Sequence, residues 1–128
     1  CHLDAGMTEQ GLRELGAADL DLAILENVGN LVCPAEFDTG AVKNVAILSV
    51  PEGHDKPLKY PLMFEVCQAL IINKIDVLPY FDFNMDKVRE FAHKRNPDIE
   101  IFPISAKTGE GVDAWCNWLE AQVRAWNE

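Results

Sequence analysis

Four short apolar runs, separated by segments with helical spacing, constrain the fold of this chain more than any other feature. The runs cover residues 20–25, 45–50, 69–73 and 99–104. Each run is almost continuously apolar, which is typical of strands that are covered on both faces. Strands that alternate with helices usually form a parallel sheet, because each helix carries the chain back to the starting edge. We therefore predict an α/β fold with a parallel sheet.

The segments between the apolar runs predict the helices. Residues 57–68, 85–95 and 112–126 place apolar side chains at helical spacing. A further helix is predicted over residues 8–15, with Thr8 as its N-cap and its end near Gly16. Residues 27–42 contain two glycines and a proline, and they are predicted to form a loop.

Charge and composition exclude two classes of function. The chain has 21 acidic and 11 basic residues and a net charge of -10, whereas nonspecific nucleic-acid binding requires a basic face. No apolar run approaches the ~18 residues of a membrane span. The four cysteines form no Cys-x-x-Cys pair, and the core is large enough to need no disulfide, so we expect reduced thiols and a cytoplasmic location.

Two polar motifs follow the third and fourth apolar runs. The motifs comprise Asn73, Lys74 and Asp76 in the first, and Ser105, Ala106 and Lys107 in the second. In a parallel sheet the carboxyl ends of the strands meet at one edge, where ligands bind, so the two motifs are expected to lie together. Each motif alone is compatible with a polar turn after a strand. Their joint placement at two successive strand ends favours a nucleotide site.

The chemistry of these residues suits guanine. The carboxylate of Asp76 can accept hydrogen bonds from the base N1–H and the exocyclic amine, a donor pair that adenine lacks. The backbone N–H of Ala106 can donate to the base O6, and Asn73 can bridge the base edge and the neighbouring loop. The aliphatic stems of Lys74 and Lys107 can pack on the two faces of the purine.

The two motifs resemble the NKxD and SAK motifs of the GTPase superfamily. This resemblance implies a G domain that is specific for GTP and uses Mg²⁺. The acidic end of the first apolar run fits the same scheme, because Glu26 could hold Mg²⁺ directly or through water. The N–H of Gly29 could contact a γ-phosphate, so that the following loop would act as a switch. Taken without the two motifs, Glu26 is better explained as a solvated carboxylate before a turn.

Three further residues are candidate metal ligands. Cys1, His2 and Cys33 offer thiolate and imidazole, which are good ligands for Zn²⁺ and Ni²⁺. One chain supplies only three such ligands, and a symmetric dimer would double the set. From the residues alone, Cys1 and Cys33 are better explained as small buried apolar side chains. Cys67 and Cys116 match no motif and are predicted to be core thiols.

The segments CHLDA, ENVGNLVCP, DKPLKYP, NKIDVLPY and SAKTGEG together resemble HypB, the family of hydrogenase nickel-incorporation GTPases. The resemblance covers essentially the whole chain. It implies that Cys1, His2 and Cys33 form a Ni²⁺ or Zn²⁺ site at a nucleotide-dependent homodimer interface. It also implies delivery of nickel to the nickel–iron hydrogenase together with other maturation proteins. The nickel-chaperone GTPases of urease are a close alternative, and a non-catalytic interaction domain derived from a GTPase is a more distant one.

The chain departs from the GTPase pattern in one respect. No Gly-x-x-x-x-Gly-Lys-Ser/Thr segment occurs, so the loop that cradles the phosphates is missing. The chain also begins with Cys1 and not with methionine. We therefore expect residues 1–128 to be a partial P-loop-GTPase-like three-layer domain, truncated at its N-terminus, that does not hydrolyse GTP by itself.

Overall fold

The computed structural model describes residues 3–29 and 31–128, except for the side chain of Cys33. The chain divides into two compact units, Cys1–Val42 and Lys43–Glu128. The sheet and the two polar motifs lie in the second unit. Within the described residues, no helix has the length and apolar character needed to cross a membrane.

The first helix of the first unit, α1 (Ala5–Leu15), begins earlier than the sequence predicted. Its N-cap is Asp4, whose carboxylate accepts the N–H of Met7 over 2.9 Å. Thr8 is therefore not the N-cap; it lies inside the helix, and its hydroxyl donates to the Asp4 carbonyl over 3.0 Å. The helix ends, as predicted, at Gly16, which adopts the left-handed conformation with φ 69°.

The predicted loop over residues 27–42 contains one short helix, α2 (Cys33–Glu36). Pro34 lies in the first turn of α2. N–H groups in the first turn have no acceptor within the helix, so a proline there costs no hydrogen bond. The remaining described residues of this segment are irregular, as predicted.

The first apolar run, residues 20–25, is not a strand, and this prediction was wrong. Its backbone is irregular and pairs with no strand among the described residues. Its large side chains are exposed, and Ile24 reaches 79% of full exposure. An apolar run becomes a strand only when a neighbouring strand takes its backbone hydrogen bonds, and composition does not reveal such a neighbour.

The other three runs form the predicted parallel sheet. The strands β1 (Val45–Ser49), β2 (Ala69–Asn73) and β3 (Glu100–Pro103) lie side by side in that order, and both pairs are parallel. The register aligns Ser49 with Asn73, so the strands end at one edge of the sheet.

Coverage of the sheet differs between its strands. Residues 69–72 of β2 are all buried although successive side chains point to opposite faces, so β2 is covered on both sides. In β1 the buried Ala46 and Leu48 share one face, whereas Ile47 on the other face is 61% exposed. The prediction of strands covered on both faces is therefore confirmed for β2 and wrong for β1.

The predicted helix over residues 57–68 is divided into α3 (Lys56–Lys59) and α4 (Pro61–Val66). The division falls at Tyr60, because the residue before a proline is pushed out of the helical region and Pro61 donates no N–H. Phe64 of α4 is fully buried.

The last two helices agree closely with the sequence. α5 (Met85–Arg95) has the predicted bounds and buries Val88 and Ala92. α6 (Val112–Asn127) extends one residue beyond its predicted end. Trp115 and Trp118 of α6 stack on each other and contact Phe102 of β3, with ring centroids 5.4 and 5.8 Å from the Phe102 ring.

Candidate functional site

Two loops meet at the carboxyl edge of the sheet. Backbone hydrogen bonds join them just beyond the strand ends: Ile104 N–H donates to the Ile72 carbonyl over 2.7 Å, and Ile75 N–H donates to the Ile104 carbonyl over 3.2 Å. The first loop follows β2 and carries the NKID motif, and the second follows β3 and carries the SAK motif. The parallel sheet therefore brings together the two motifs that the sequence separates.

Lys74 sets the direction in which the first loop leaves β2. It is the one non-glycine residue in the left-handed region among the described residues, with φ 66° and ψ 36°. A side chain in this conformation costs about 1–2 kcal/mol. The carboxamide oxygen of Asn73 accepts the Lys74 N–H over 2.8 Å and helps to hold the turn.

Asn73 also connects the first loop to the second. The same carboxamide oxygen accepts the N–H of Ala106 over 3.1 Å. From the sequence, the Ala106 N–H is predicted to donate to the O6 of the base, and this stays a prediction. The NH₂ group of Asn73 has no hydrogen bond within residues 3–29 and 31–128, so it remains a donor at the edge of the loops.

Asp76 is held by a buried serine. The hydroxyl of Ser105 donates to one carboxylate oxygen of Asp76 over 2.8 Å. Ser105 is fully buried, and its hydroxyl accepts the N–H of Thr108 over 3.1 Å. The second carboxylate oxygen of Asp76 has no hydrogen-bond partner in the described part of the chain, so Asp76 retains acceptor capacity.

These groups surround one cleft with a volume of about 380 Å³, within the usual size of a small-molecule site. Its lining consists of Asn73, Lys74, Asp76, Val77, Ala106 and Lys107. Five of the six residues predicted to recognise the base line the cleft, and Ser105 lies buried behind Asp76. Val77 was not predicted; the only available signal was its place directly after Asp76.

The donor and acceptor set of the cleft fits guanine. A free carboxylate oxygen and a free NH₂ group complement the N1–H and amine donors and the O6 and N7 acceptors of that base. Both lysines of the cleft are exposed, so their ammonium groups remain solvated while their aliphatic stems are available for packing. Recognition of the base by these residues remains a proposal.

The predicted phosphate and magnesium residues lie in the first unit. Glu26 and Gly29 are exposed and lie in irregular backbone. The premise that Glu26 ends a strand is wrong, because residues 20–25 form none. Their roles towards Mg²⁺ and the γ-phosphate stay predictions that rest on the family resemblance.

The predicted metal ligands are Cys1, His2 and Cys33. Cys1 and His2 lie outside the described residues, and so does the side chain of Cys33. Among the residues that are described, no three His, Cys, Asp or Glu side chains cluster as metal ligands would. The metal site therefore stays a prediction.

The other two cysteines differ from each other. Cys67 is buried, as predicted, and burial raises the pKa of its thiol to about 12. Cys116 was also predicted to be a core thiol, and this was wrong, since it is exposed on α6. The helical spacing of 112–126 marks the half-buried face of α6, but Cys116 follows Trp115 and turns away from that face.

Comparison with known proteins assigns the family. Residues 1–103 match the family described as CobW/HypB/UreG, nucleotide-binding domain. The chain belongs to this family. The CobW/HypB/UreG assignment agrees with the parallel α/β fold, and it makes the fold a P-loop-GTPase-like one, as predicted.

Within this family, the similar proteins are HypB proteins. The chain is 52% identical over 122 residues to the hydrogenase maturation factor HypB of Escherichia coli, covering 95% of this chain and 42% of that protein. It is 44% identical over 128 residues to the hydrogenase/urease maturation factor HypB of Helicobacter pylori, covering 97% of this chain and 53% of that protein. The resemblance to HypB that the sequence motifs indicated is thereby confirmed.

Solved structures agree with this assignment. The crystal structure of HypB from Archaeoglobus fulgidus matches with a TM-score of 0.89 and 36% identity, over 96% of this chain and 60% of that chain. The crystal structure of HypB from Helicobacter pylori in complex with nickel matches with a TM-score of 0.90 and 43% identity, over 98% of this chain and 60% of that chain. The chain thus spans about 42–60% of the length of these CobW/HypB/UreG proteins.

Proposed function

We propose that this chain is the guanine-recognising part of a GTP-binding and GTP-hydrolysing protein that handles nickel in hydrogenase maturation. The observation that carries the proposal is the cleft between the two loops, where Asp76 and Asn73 present an acceptor and a donor to one ligand. The family is nucleotide-binding, and the relatives are named hydrogenase maturation factors. Guanine recognition belongs to the cleft, whereas hydrolysis and nickel handling belong to the longer protein.

Base selection follows from the acceptor set of Asp76. Its carboxylate receives the N1–H and the exocyclic amine of guanine, while Ser105 holds one of its oxygens in place. Adenine presents no such donor pair, so its binding would leave a desolvated carboxylate without partners. A site built to pair with a polar group rejects a ligand that lacks this group by a large factor, on the order of 10⁴ in well-formed sites.

The phosphates need residues that this sequence does not contain. Without the glycine-rich loop and its lysine, most of the charge stabilisation for phosphoryl transfer is missing. We expect the 128-residue chain to bind guanine nucleotides weakly and not to hydrolyse GTP. Micromolar affinity for GTP in a calorimetric titration of this chain would contradict the expectation.

Magnesium and the transported metal are assigned to the first unit. Glu26 offers a carboxylate, the kind of oxygen ligand that Mg²⁺ prefers. Cys1, His2 and Cys33 would supply the site for Ni²⁺ or Zn²⁺, which a nucleotide-dependent homodimer would complete. One structural neighbour is a HypB in complex with nickel, which supports nickel as the transported ion. The reduced thiols of this scheme suit a cytoplasmic protein.

The experiment that tests guanine recognition is a titration followed by NMR, which detects weak binding. The ¹⁵N-labelled chain is titrated with GDP and, as a matched control, with ADP. We expect the amide signals of Lys74, Val77 and Ala106 to shift with GDP and to remain in place with ADP. Equal shifts with both nucleotides, or shifts confined to other regions, would remove the basis for guanine recognition and favour a non-catalytic interaction domain.

A further inference from the structure

The second loop turns back towards the sheet at Gly111, and this turn leaves no room for a side chain. Gly111 has φ 76°. A Cβ atom at this position would lie 2.2 Å from the carbonyl oxygen of Pro103 and 3.3 Å from Cγ2 of Ile104. The first distance is far below van der Waals contact, and the atom that it meets belongs to the backbone at the end of β3. A substitution at Gly111 must therefore displace the loop, the strand end or both.

The closed loop holds Ser105 by backbone groups on two sides. The carbonyl of Glu110, directly before Gly111, accepts the Ser105 N–H over 2.9 Å. The N–H of Thr108 donates to the Ser105 hydroxyl over 3.1 Å. The Thr108 N–H occupies one lone pair of the Ser105 hydroxyl oxygen, and the side chain is fully buried. The hydroxyl proton of Ser105 is therefore directed to Asp76. The orientation of Asp76 thus depends on where residue 110 places its carbonyl.

We infer that Gly111 is a positioning residue for guanine selection, an inference that rests on the proposed function. It acts through Ser105: the close approach of Gly111 to Pro103 fixes the Glu110 carbonyl, which fixes Ser105, which orients the Asp76 carboxylate. Gly111 itself does not line the cleft. Its effect is therefore on the contact between Asp76 and the base amine and not on the lysine stems.

Gly109 offers a matched control in the same loop. It also has a positive φ, 86°, so alanine strains the backbone at both positions. A Cβ atom at Gly109 meets nothing within 4 Å, however. Alanine at 109 also keeps the N–H that donates to the Ser105 carbonyl over 2.8 Å. Comparing Gly111→Ala with Gly109→Ala therefore distinguishes the effect of backbone strain at a positive φ from the effect of the steric clash with the end of β3.

The test is the ratio of the dissociation constants for IDP and GDP, measured by NMR titration of the chain. The base of IDP lacks the 2-amino group, so Asp76 receives one donor from IDP and two from GDP. We expect the wild-type chain and Gly109→Ala to favour GDP by about tenfold, the equivalent of one hydrogen bond to a charged group. In Gly111→Ala the ratio should fall towards one. A merely structural loss would weaken both nucleotides equally and leave the ratio unchanged.

The outcomes separate this inference from the proposed function. A wild-type ratio of one would remove guanine selection and the inference with it. A tenfold wild-type ratio that persists in Gly111→Ala would overturn the inference alone. If Gly111→Ala does not fold, Thr108→Ala replaces it, because the Thr108 hydroxyl accepts the Glu110 N–H over 3.3 Å and supports the same turn. An unchanged ratio in Thr108→Ala would then overturn the inference.

Discussion

The hydroxyl of Ser105 donates a hydrogen bond to the carboxylate of Asp76 over 2.8 Å, although 29 positions separate the two residues in the sequence. Each residue belongs to a loop that follows one of two neighbouring parallel strands. Ser105 is fully buried, while Asp76 is half-buried and lines the cleft. A buried group therefore positions the carboxylate that faces the ligand, and the strength of this link can be measured.

Ser105→Ala is expected to lower the free energy of unfolding by about 1–3 kcal/mol, because the Thr108 N–H loses its acceptor and Asp76 its donor inside the protein. Urea denaturation followed by circular dichroism measures the change. Lys107→Ala, at an exposed position of the same loop, is the control and should stay within about 0.5 kcal/mol of wild type. Equal stability of the two variants would contradict a structural role for the Ser105 hydroxyl.

Asp76→Asn is expected to change the preferred base from guanine to xanthine. Asparagine offers an NH₂ donor, and xanthine carries a carbonyl acceptor at the position of the guanine amine. NMR titrations with GDP and XDP should show weaker binding of GDP and stronger binding of XDP in the variant. Loss of both nucleotides would mean that Asp76 holds the loop and does not read the base.

Lys74→Val is expected to destabilise the second unit, because a β-branched side chain is strongly disfavoured at φ 66°. The penalty should exceed that of the wild-type lysine by about 1 kcal/mol. Lys107→Val is the matched control, since Lys107 lines the same cleft without a positive φ. Thermal unfolding measures both variants, and equal melting temperatures would argue that the left-handed turn is not strained.

Cys67 is expected to resist alkylation at pH 8, whereas Cys116 reacts. Burial raises the pKa of the Cys67 thiol to about 12, so almost none of the reactive thiolate is present at pH 8, and the fraction grows only as the pH approaches that value. Cys116 is exposed on α6. Peptide mass spectrometry after iodoacetamide treatment gives both rates, with urea-unfolded protein as the control in which Cys67 should react. Similar rates in the folded protein would show that the core opens readily.

Cys33→Ala is expected to weaken Ni²⁺ binding and to remove its dependence on nucleotide, as measured in a form of the chain that also carries a phosphate-binding loop. The reason is linkage: if the switch loop responds to the γ-phosphate and also supplies a metal ligand, each ligand must change the affinity for the other by the same factor. Calorimetric Ni²⁺ titrations with and without a GTP analogue measure this factor. Cys116→Ala, which removes an exposed thiol on another element, is the control. A wild-type Ni²⁺ affinity that ignores the GTP analogue would contradict the coupling.

Local patterns predicted some elements well. α5 was predicted residue for residue, because its apolar stripe and the following Asn96-Pro97 mark both its face and its end. β2 was predicted with equal accuracy, because a continuous apolar run that ends in a polar motif leaves little freedom for its bounds. The polar motifs that follow β2 and β3 named five of the six residues that line the cleft.

The errors have different physical origins. Residues 20–25 have the composition of a strand, but a strand also needs a partner, and pairing lies outside the local sequence. The helix predicted over 57–68 is two helices in the structure, because Pro61 interrupts the helical hydrogen bonds although the apolar spacing continues on both sides of it. Thr8 has the hydroxyl of an N-cap and precedes a helical pattern, but the helix begins earlier, with Asp4 as its N-cap.

The sequence by itself determined the kind of fold, the two loops that carry the site and the residue types that suit guanine, since these depend on hydrophobic spacing and side-chain chemistry. Tertiary structure alone decided that the Ser105 hydroxyl supports Asp76, that the Ala106 N–H goes to Asn73 and that Gly111 lies against Pro103. These contacts depend on the ångström-scale packing of two loops distant in sequence. Hydrogen bonds and close contacts fail over a few tenths of an ångström, and a pattern of residue types cannot specify distances so finely.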